Sequence, residues 1–321
     1  LHTASDKADD WGAVRRYAAS LGLQIGAVNP HLFADDDYVL GTLGNPDARV
    51  RAKSLEKLKE GIRIAEAVGS NVLSLWFPDG TDFPGQDSFR ARKQRFEDGL
   101  REVYEAMPST MRMVIEYKFF EPGFYHTDIA DWGMAYLLAC RLGERAQVLV
   151  DMGHHAVGAN VEQIVAVLLS EGKLGGFHFN DKKYGDDDLT VGAINPYQLF
   201  LVFCELVAAE MDPTLTEAVQ NVALMIDQNH NNKPQIEGTI QSVVALQAAF
   251  AKALLVDYAA LEEARASADI VRAEECVKDA YQTDVRPLLA QVRIEMGLDP
   301  EPLTAFRRSG YMEKVTRERS R

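Results

Sequence analysis

The sequence predicts a (β/α)8 barrel over residues 1–236 and a C-terminal α-helical extension over residues 237–321. Two observations carry this α/β assignment. Apolar runs alternate with amphipathic helices at intervals of about 25 to 50 residues, the order of repeated βα units. The strand runs are almost continuously apolar, as parallel strands covered on both faces must be. A third observation narrows the choice. No Gly-rich phosphate loop follows the first strand, which disfavours a dinucleotide-binding sheet.

Taken in order, Asp9 and Asp10 read as a helix start, and LQIGAVNP (23–30) as a buried strand. ARVRAKSLEKLKEGIRIAEAVG (48–69) has apolar residues at three and four spacing and a Gly69 stop, so it predicts a helix. NVLSLWFPDG (71–80) is a strand ended by Pro78 and Gly80. A helix over 87–107 and the strand RMVIEYK (112–118) follow. Next come a helix over 128–143, the strand AQVLVDMGHH (146–155) and a helix over 160–173 with Asn160 as cap. The strand GGFHFND (175–181), a helix over 195–211 with Pro196 in its first turn, and the strand NVALMID (221–227) complete the barrel pattern. Residues 237–315 read as entirely helical, in two stretches too long for one barrel helix each.

Bulk properties exclude several classes. The net charge is −14 and the pI about 5.0, which argues against a nucleic-acid binder, since phosphate affinity comes from clustered Lys and Arg. No run approaches a membrane span, and LHTASDKADDW lacks a charged-then-apolar signal pattern. Cys140, Cys204 and Cys276 are far apart and lie in apolar helical patterns. They read as buried thiols of a reducing, cytoplasmic compartment.

Polar residues gather where strands end. Glu116 and Lys118 close one strand, and Asp151, His154 and His155 the next. His178 and Asp181 close a third, with Asp186, Asp187 and Asp188 just beyond. Asp227, Asn229 and His230 follow a fourth. One Asp or His after a strand is ordinarily a cap or turn former. Four successive strands ending this way, in a fold that converges its strand ends on one face, point to a metal site. The set is oxygen-rich, includes imidazoles and has no thiolate. That favours Mn²⁺, Mg²⁺ or Co²⁺ over structural zinc. Five carboxylates, Glu116, Asp151, Asp186, Asp188 and Asp227, exceed the need of one divalent ion. Two ions, with Asp151 a bridge, neutralise them better. Asp186 and Asp188 share a side if the backbone is extended, and Asp187 then faces solvent. His155 and His230 are weaker candidates, each beside a better one.

VDMGHH, KLGGFHFNDKKYGDDDL, PYQLFLVF and MIDQNHN, together with FPGQ, DWGMAYL, AYQTDVRPLLA and RRSGY, make the chain similar to the bacterial L-rhamnose isomerases of the Pseudomonas type. These are xylose-isomerase-like TIM barrels, and the resemblance covers essentially the whole chain. It implies a cytoplasmic, homotetrameric aldose–ketose isomerase of carbohydrate catabolism, with no nucleic-acid or membrane partner. The expected reaction converts L-rhamnose to L-rhamnulose by a metal-mediated hydride shift between C2 and C1. Two divalent ions are implied, Mn²⁺ usually, with Co²⁺, Mg²⁺ or Zn²⁺ as substitutes, and no organic cofactor. By resemblance, Glu116, Asp151, His178 and Asp227 hold the structural ion, and Glu116 and Asp227 also meet the sugar. His154, Asp186 and Asp188 hold the catalytic ion. Lys118 is the catalytic cation, Trp76 an apolar wall along the sugar, and His2 the group at the ring oxygen. Asp186 and Asp227 complete the catalytic set.

The chain departs from that pattern at Thr3-Ala4-Ser5, where Ile-Pro-Trp is usual, and at Asn229, where Ser is common. These departures bring L-mannose, L-lyxose and D-allose in as candidate sugars. The rival functions are a single-metal ketose 3-epimerase, a barrel endonuclease and a non-catalytic sugar- or metal-binding protein. The resemblance also places the first barrel strand upstream of Leu1. The expectation is therefore an open barrel with a gap between the 23–29 and 221–227 strands, insoluble or inactive when residues 1–321 are expressed alone.

Overall fold

The computed structural model describes residues 1–3, 6–33, 35–121, 125–229 and 233–320. It contains two compact units. The first comprises Leu1–Asn160, Val167–His178 and Gln220–Met225. The second comprises Val161–Ala166, Phe179–Val219 and Ile226–Arg321.

The elements in chain order are α1 (Trp11–Ser20), a 3-10 turn (Asp36–Leu40), α2 (Ala48–Val68), β1 (Val72–Leu75), α3 (Phe89–Ala106) and β2 (Arg112–Glu116). A short hairpin of β3 (Phe120–Glu121) and β4 (Tyr125–His126) precedes α4 (Trp132–Leu142), β5 (Ala146–Asp151), α5 (Val161–Ser170) and β6 (Leu174–Phe179). Then come α6 (Pro196–Met211), α7 (Thr216–Gln220) and β7 (Ala223–Ile226). The helices start where the caps stand. Asp10, Asp47, Ser88, Asp131 and Asn195 each accept a first-turn N–H. Helix α2 ends on Gly69 at φ 78°, a conformation that favours glycine, and buries Leu58, Ile62, Ala65 and Val68.

The sheet order is β1-β2-β5-β6-β7, with β1–β2, β2–β5 and β5–β6 paired in parallel. Parallel bridges from Val28 to Leu73 and from His2 to Asn29 continue it beyond β1. Ala27, Val72, Val114 and Leu149, with Met225 against them, form one layer drawn from successive strands. Arg112 closes that column from below, donating to Gln147 Oε1 (2.9 Å) and to the carbonyls of Gly175 (2.6 Å) and Asn221 (2.5 Å).

One expectation about the first strands is corrected. Residues 23–26 are not strand, and Leu23 is 60% exposed. Its N–H is taken by Ala18 O (2.9 Å) and that of Gly22 by Ala19 O (3.0 Å), so it closes helix α1 instead of entering the sheet. The chain reaches the sheet only at Val28 and Asn29. Thr3 N donates to Asn29 O and Asn29 N to Leu1 O, which seats residues 1–3 beside it.

Helices α8 (Gln235–Ala253), α9 (Tyr258–Ala266), α10 (Ile270–Gln282), α11 (Arg286–Glu295), α12 (Pro302–Arg308) and α13 (Tyr311–Arg319) follow in the second unit. The expected two long helical stretches are thus broken into six helices. Asp257 and Asp269 cap new starts, Ala268 sits at φ 56°, and Pro287, Pro302 and Gly310 interrupt the rest. Ile240, Val244, Phe250, Leu289, Val292 and Phe306 are among the residues lining an apolar cleft of about 1020 Å³ there. Cys140 is exposed and Cys204 and Cys276 are half-buried, so the thiols are free but not all buried as expected. Among the described residues no single helix is long and apolar enough to cross a membrane.

Candidate metal centre

Strand alternation builds the site. Side chains two apart share a face, so Arg112, Val114 and Glu116 form one column on β2. Gln147, Leu149 and Asp151 form the next on β5, and Val72 and Ser74 lead to Trp76 just past β1. On β6 the alternation would fail without a correction. Val148 pairs with Leu174 but Leu149 pairs with Gly176, a one-residue slip at Gly175. That slip sets His178, not Phe177, opposite Asp151. A Cβ at Gly175 would lie 2.5 Å from Val114 Cγ1 and 2.7 Å from Gln147 Cβ, so the slip requires glycine.

Glu116, Asp151 and His178 are buried and each offers a ligand atom within 4.8 Å of the others. His178 Nδ1 is 3.2 Å from Glu116 Oε2 and 3.8 Å from Asp151 Oδ2. His154 joins them, its Nδ1 3.2 Å from Glu116 Oε1 and its Nε2 3.9 Å from Asp151 Oδ1. Burial alone would raise the Glu116 carboxyl pKa. The attraction of His178, with hydrogen bonds from His154 and His178, outweighs it and holds the group well below the usual carboxylate range. The Tyr117 carbonyl, 3.0 Å from His154 Nδ1, can only accept. With that proton placed, a neutral His154 carries its lone pair on Nε2, the atom able to ligate a cation. Two carboxylates and two imidazoles, desolvated together, fit a divalent ion, which would neutralise them where water cannot.

Lys118, two residues past Glu116, is buried, and its ammonium lies 5.1 Å from the Trp76 ring centroid. An aromatic row not anticipated from the sequence runs from there. Trp76 meets Phe33 (5.5 Å), Phe33 meets His31 (6.4 Å) and His31 meets His2 (5.1 Å). The signal was present: His31 and Phe33 follow a strand end as the other candidates do. Trp76 Nε1 and Asn29 Oδ1 are buried atoms without a hydrogen-bond partner.

The acidic turn does several jobs. Asp181 pairs with Leu189 through both backbone groups, and its carboxylate accepts from Ile194 N (2.7 Å) and Asn195 N (2.8 Å), seating the start of α6. Asp187 was expected in solvent. Instead it accepts from the N–H groups of Lys183, Tyr184 and Gly185, which lowers its pKa and folds the turn around it. Asp188 adopts φ 44°, so the backbone is not extended at that residue. Its carbonyl accepts from Asn229 N and its Oδ1 lies 3.5 Å from Asn180 Nδ2. Asp186 is half-buried in the same turn. His155 Nε2 meets the buried Tyr117 hydroxyl at 2.5 Å, a core pairing. Asp227 is exposed at the end of β7, and its N–H donates to Phe179 O, the residue after His178. His230, Ala4 and Ser5 lie outside the described residues.

A family model for xylose isomerase-like TIM barrels matches residues 3–198. The chain belongs to the xylose isomerase-like TIM barrel family. Its similarity extends beyond the part that model covers. A "probable sugar isomerase" of Rhizobium meliloti is 44% identical over 326 residues, 99% of this chain and 75% of that protein. A second, of Mesorhizobium japonicum, is 43% identical over 330 residues, 99% of this chain and 74% of that protein. Among solved structures, a 3-keto-D-glucoside 4-epimerase from E. coli (TM-score 0.58, 14% identity, 74% of this chain and 84% of that one) shares the fold. So does an L-ribulose 3-epimerase (TM-score 0.57, 17% identity, 78% and 85%).

Proposed function

We propose that this barrel is a divalent-metal-dependent aldose–ketose isomerase, with L-rhamnose as its aldose and Mn²⁺ as its preferred ion. The observation that carries the reading is buried Lys118, two residues past Glu116 of the Glu116–Asp151–His178 cluster, with its ammonium over the Trp76 ring. A protein that only binds sugar has no need of a cation where an oxyanion forms. The names of the two bacterial relatives, both probable sugar isomerases, support the coarser part of it, isomerisation of a sugar.

In this reading Asp227, on the Met225 side of β7 by alternation, completes the ligand set of Glu116, Asp151 and His178. His154, Asp186 and Asp188 take a second ion. Bound there, the ions would act as Lewis acids on the sugar oxygens. The open-chain aldose passes a hydride from C2 to C1, which puts negative charge on O1 while O2 becomes the carbonyl oxygen. Lys118 stabilises the charge on O1. Asp186 takes the O2 proton and returns it to O1, so the atoms balance. His2 serves ring opening at the ring oxygen, and Trp76 packs along the carbon chain.

The test is ketose formation from L-rhamnose, L-mannose, L-lyxose and D-allose, followed by NMR with EDTA or with added Mn²⁺. Chelation should abolish turnover and Mn²⁺ restore it. Full activity in excess EDTA, with no metal by elemental analysis, refutes the metal. Conversion of a ketose only to its C3 epimer would move the assignment to the epimerase.

A further inference from the structure

Three loops that follow successive strand positions are cross-linked by buried polar contacts. Asp79, three residues beyond Trp76, is buried and accepts from Thr42 N (2.5 Å), Thr42 Oγ1 (2.5 Å) and Gly44 N (3.0 Å). Gly41 sits at φ 101°, and a Cβ there would lie 2.3 Å from Asp79 Oδ2, so this approach requires glycine. The Asp79 carbonyl accepts from Asp128 N (2.8 Å), Thr81 N donates to His126 O (3.1 Å), and Gly80 bridges Thr127. The loop after β1 is thus zipped to the loop after β2.

Arg92 reaches this zipper from α3. It is buried, and it donates Nε (2.9 Å) and Nη2 (2.7 Å) to Asp128 Oδ2 and Nη1 (3.0 Å) to Leu40 O. Thr81 Oγ1 takes the other Asp128 oxygen at 3.0 Å. The frame grips the main chain of Lys118 on both sides. Ile129 O accepts the Lys118 N–H (3.0 Å), and the Thr127 hydroxyl donates to the Lys118 carbonyl.

We infer that Thr127 and the Arg92–Asp128 pair, its arginine buried, are positioning residues for Lys118, holding its ammonium over Trp76. Neither touches the reacting atoms. They act by removing the freedom of the loop that carries the ammonium, and misplacement of a reacting group by about 1 Å can cost on the order of 10²-fold in rate. The kinetic consequence rests on the isomerase reading above, whereas the placement of Lys118 does not.

Two readouts separate them. Thr127→Val keeps the branched shape and removes the hydroxyl, and Thr127→Ser restores it. For Thr127→Val, kcat should fall by about 10-fold with KM changed less than about twofold and bound Mn²⁺ unchanged, and Thr127→Ser should recover most of the rate. Independently of activity, the Trp76 share of the emission, obtained by difference from Trp76→Phe, should shift in Thr127→Val as it does in Lys118→Met, and stay as wild type in Thr127→Ser. Arg92→Met should act in the same direction. An unshifted Trp76 signal in Thr127→Val overturns the inference. So does equal damage in Thr127→Val and Thr127→Ser, which would mark a packing role. If wild type turns over no sugar while the Trp76 signal behaves as described, the isomerase reading fails and the positioning stands.

Discussion

The strand-end cluster and the C-terminal helices use the same charged residue types in opposite ways. Glu116 and Asp151 are 5% and 0% exposed, and the imidazoles beside them are buried too. In the helices Arg272 pairs with Glu263 at 3.0 Å, with 49% and 69% of the side chains exposed, and Lys278 pairs with Glu274 at 2.8 Å. Exposed pairs cost little to form and are worth little, because water solvates either partner alone. Buried carboxylates are costly unless partnered, and several gathered with imidazoles at strand ends mark a candidate site. The contrast therefore marks the cluster as the candidate site and leaves ordinary surface chemistry to the helices, and each half can be attacked separately.

The largest effect is expected at the cluster itself. Asp151→Asn keeps the acceptor for Gly153 N, 2.7 Å away, so the local turn survives while the charge is lost. Retained metal should fall sharply and turnover drop by at least about 10²-fold, since even outer partners of metal ligands cost 10–100-fold when removed. Elemental analysis beside a rate measurement checks it. Unchanged metal content would place the ion elsewhere. Next in size is Lys118→Met. It should lower kcat by about 10²-fold, the scale of one lost oxyanion-stabilising donor, with metal content intact. A loss under about threefold would make Lys118 a packing residue of Trp76.

How much of this was readable from the chain depends on the distance over which each feature is decided. Glu116, Asp151 and His178 were found from apolar runs that end in polar residues, a local pattern. The helix start at Asp10, the first-turn Pro196 and the Gly69 stop were local as well. Leu23–Gly26 misled because an apolar run looks the same whether it enters a sheet or closes a helix. The acceptor at Ala18 O decided it. The slip at Gly175 and the left-handed Asp188 were hidden because alternation assumes an unbroken ladder. Arg92, Asp79 and Asp128 gave no signal, since the partners described above lie 35 to 52 residues away.

Asp79 carries an intermediate prediction, because it is buried charge outside the cluster. Burial, aided by the charge of Asp128 and opposed by the bonds from Thr42 and Gly44, pushes its pKa up to about 6 from 3.8. The folded state then binds more protons than the unfolded one between those values. Its contribution to stability falls as pH rises from about 4 to 6 and is constant above, by at most about 3 kcal/mol. Denaturant unfolding of wild type and Asp79→Asn across pH 4 to 8 tests this. The stability difference should move against wild type up to about pH 6 and then level. A difference that does not change through pH 4 to 6 would mean that Asp79 stays ionised in the fold.

The smallest effect is expected at a forked surface pair that joins two of the helices. Arg307 on α12 holds Glu237 on α8 through two parallel bonds, Nε to Oε1 at 3.1 Å and Nη2 to Oε2 at 2.7 Å. This fork-to-carboxylate geometry is the strongest an exposed pair can adopt, and it joins segments 70 residues apart. If any surface pair in this region matters, this one should. The Arg307 side chain is nevertheless 60% exposed, so water and salt compete for both ends. Arg307→Ala should lower Tm by no more than about 2 °C and leave turnover and metal content unchanged. The hydrogen bond from Arg307 lowers the pKa of Glu237, so the small contribution exists above the ordinary glutamate range and disappears as pH falls through the lowered value. The Tm difference should therefore vanish in acid, and also in about 1 M salt at neutral pH. A large loss of stability, or one that persists in high salt, would mean that the pair fixes the packing of α12 on α8. The contrast between the two regions would then be one of chemistry rather than of energetic weight.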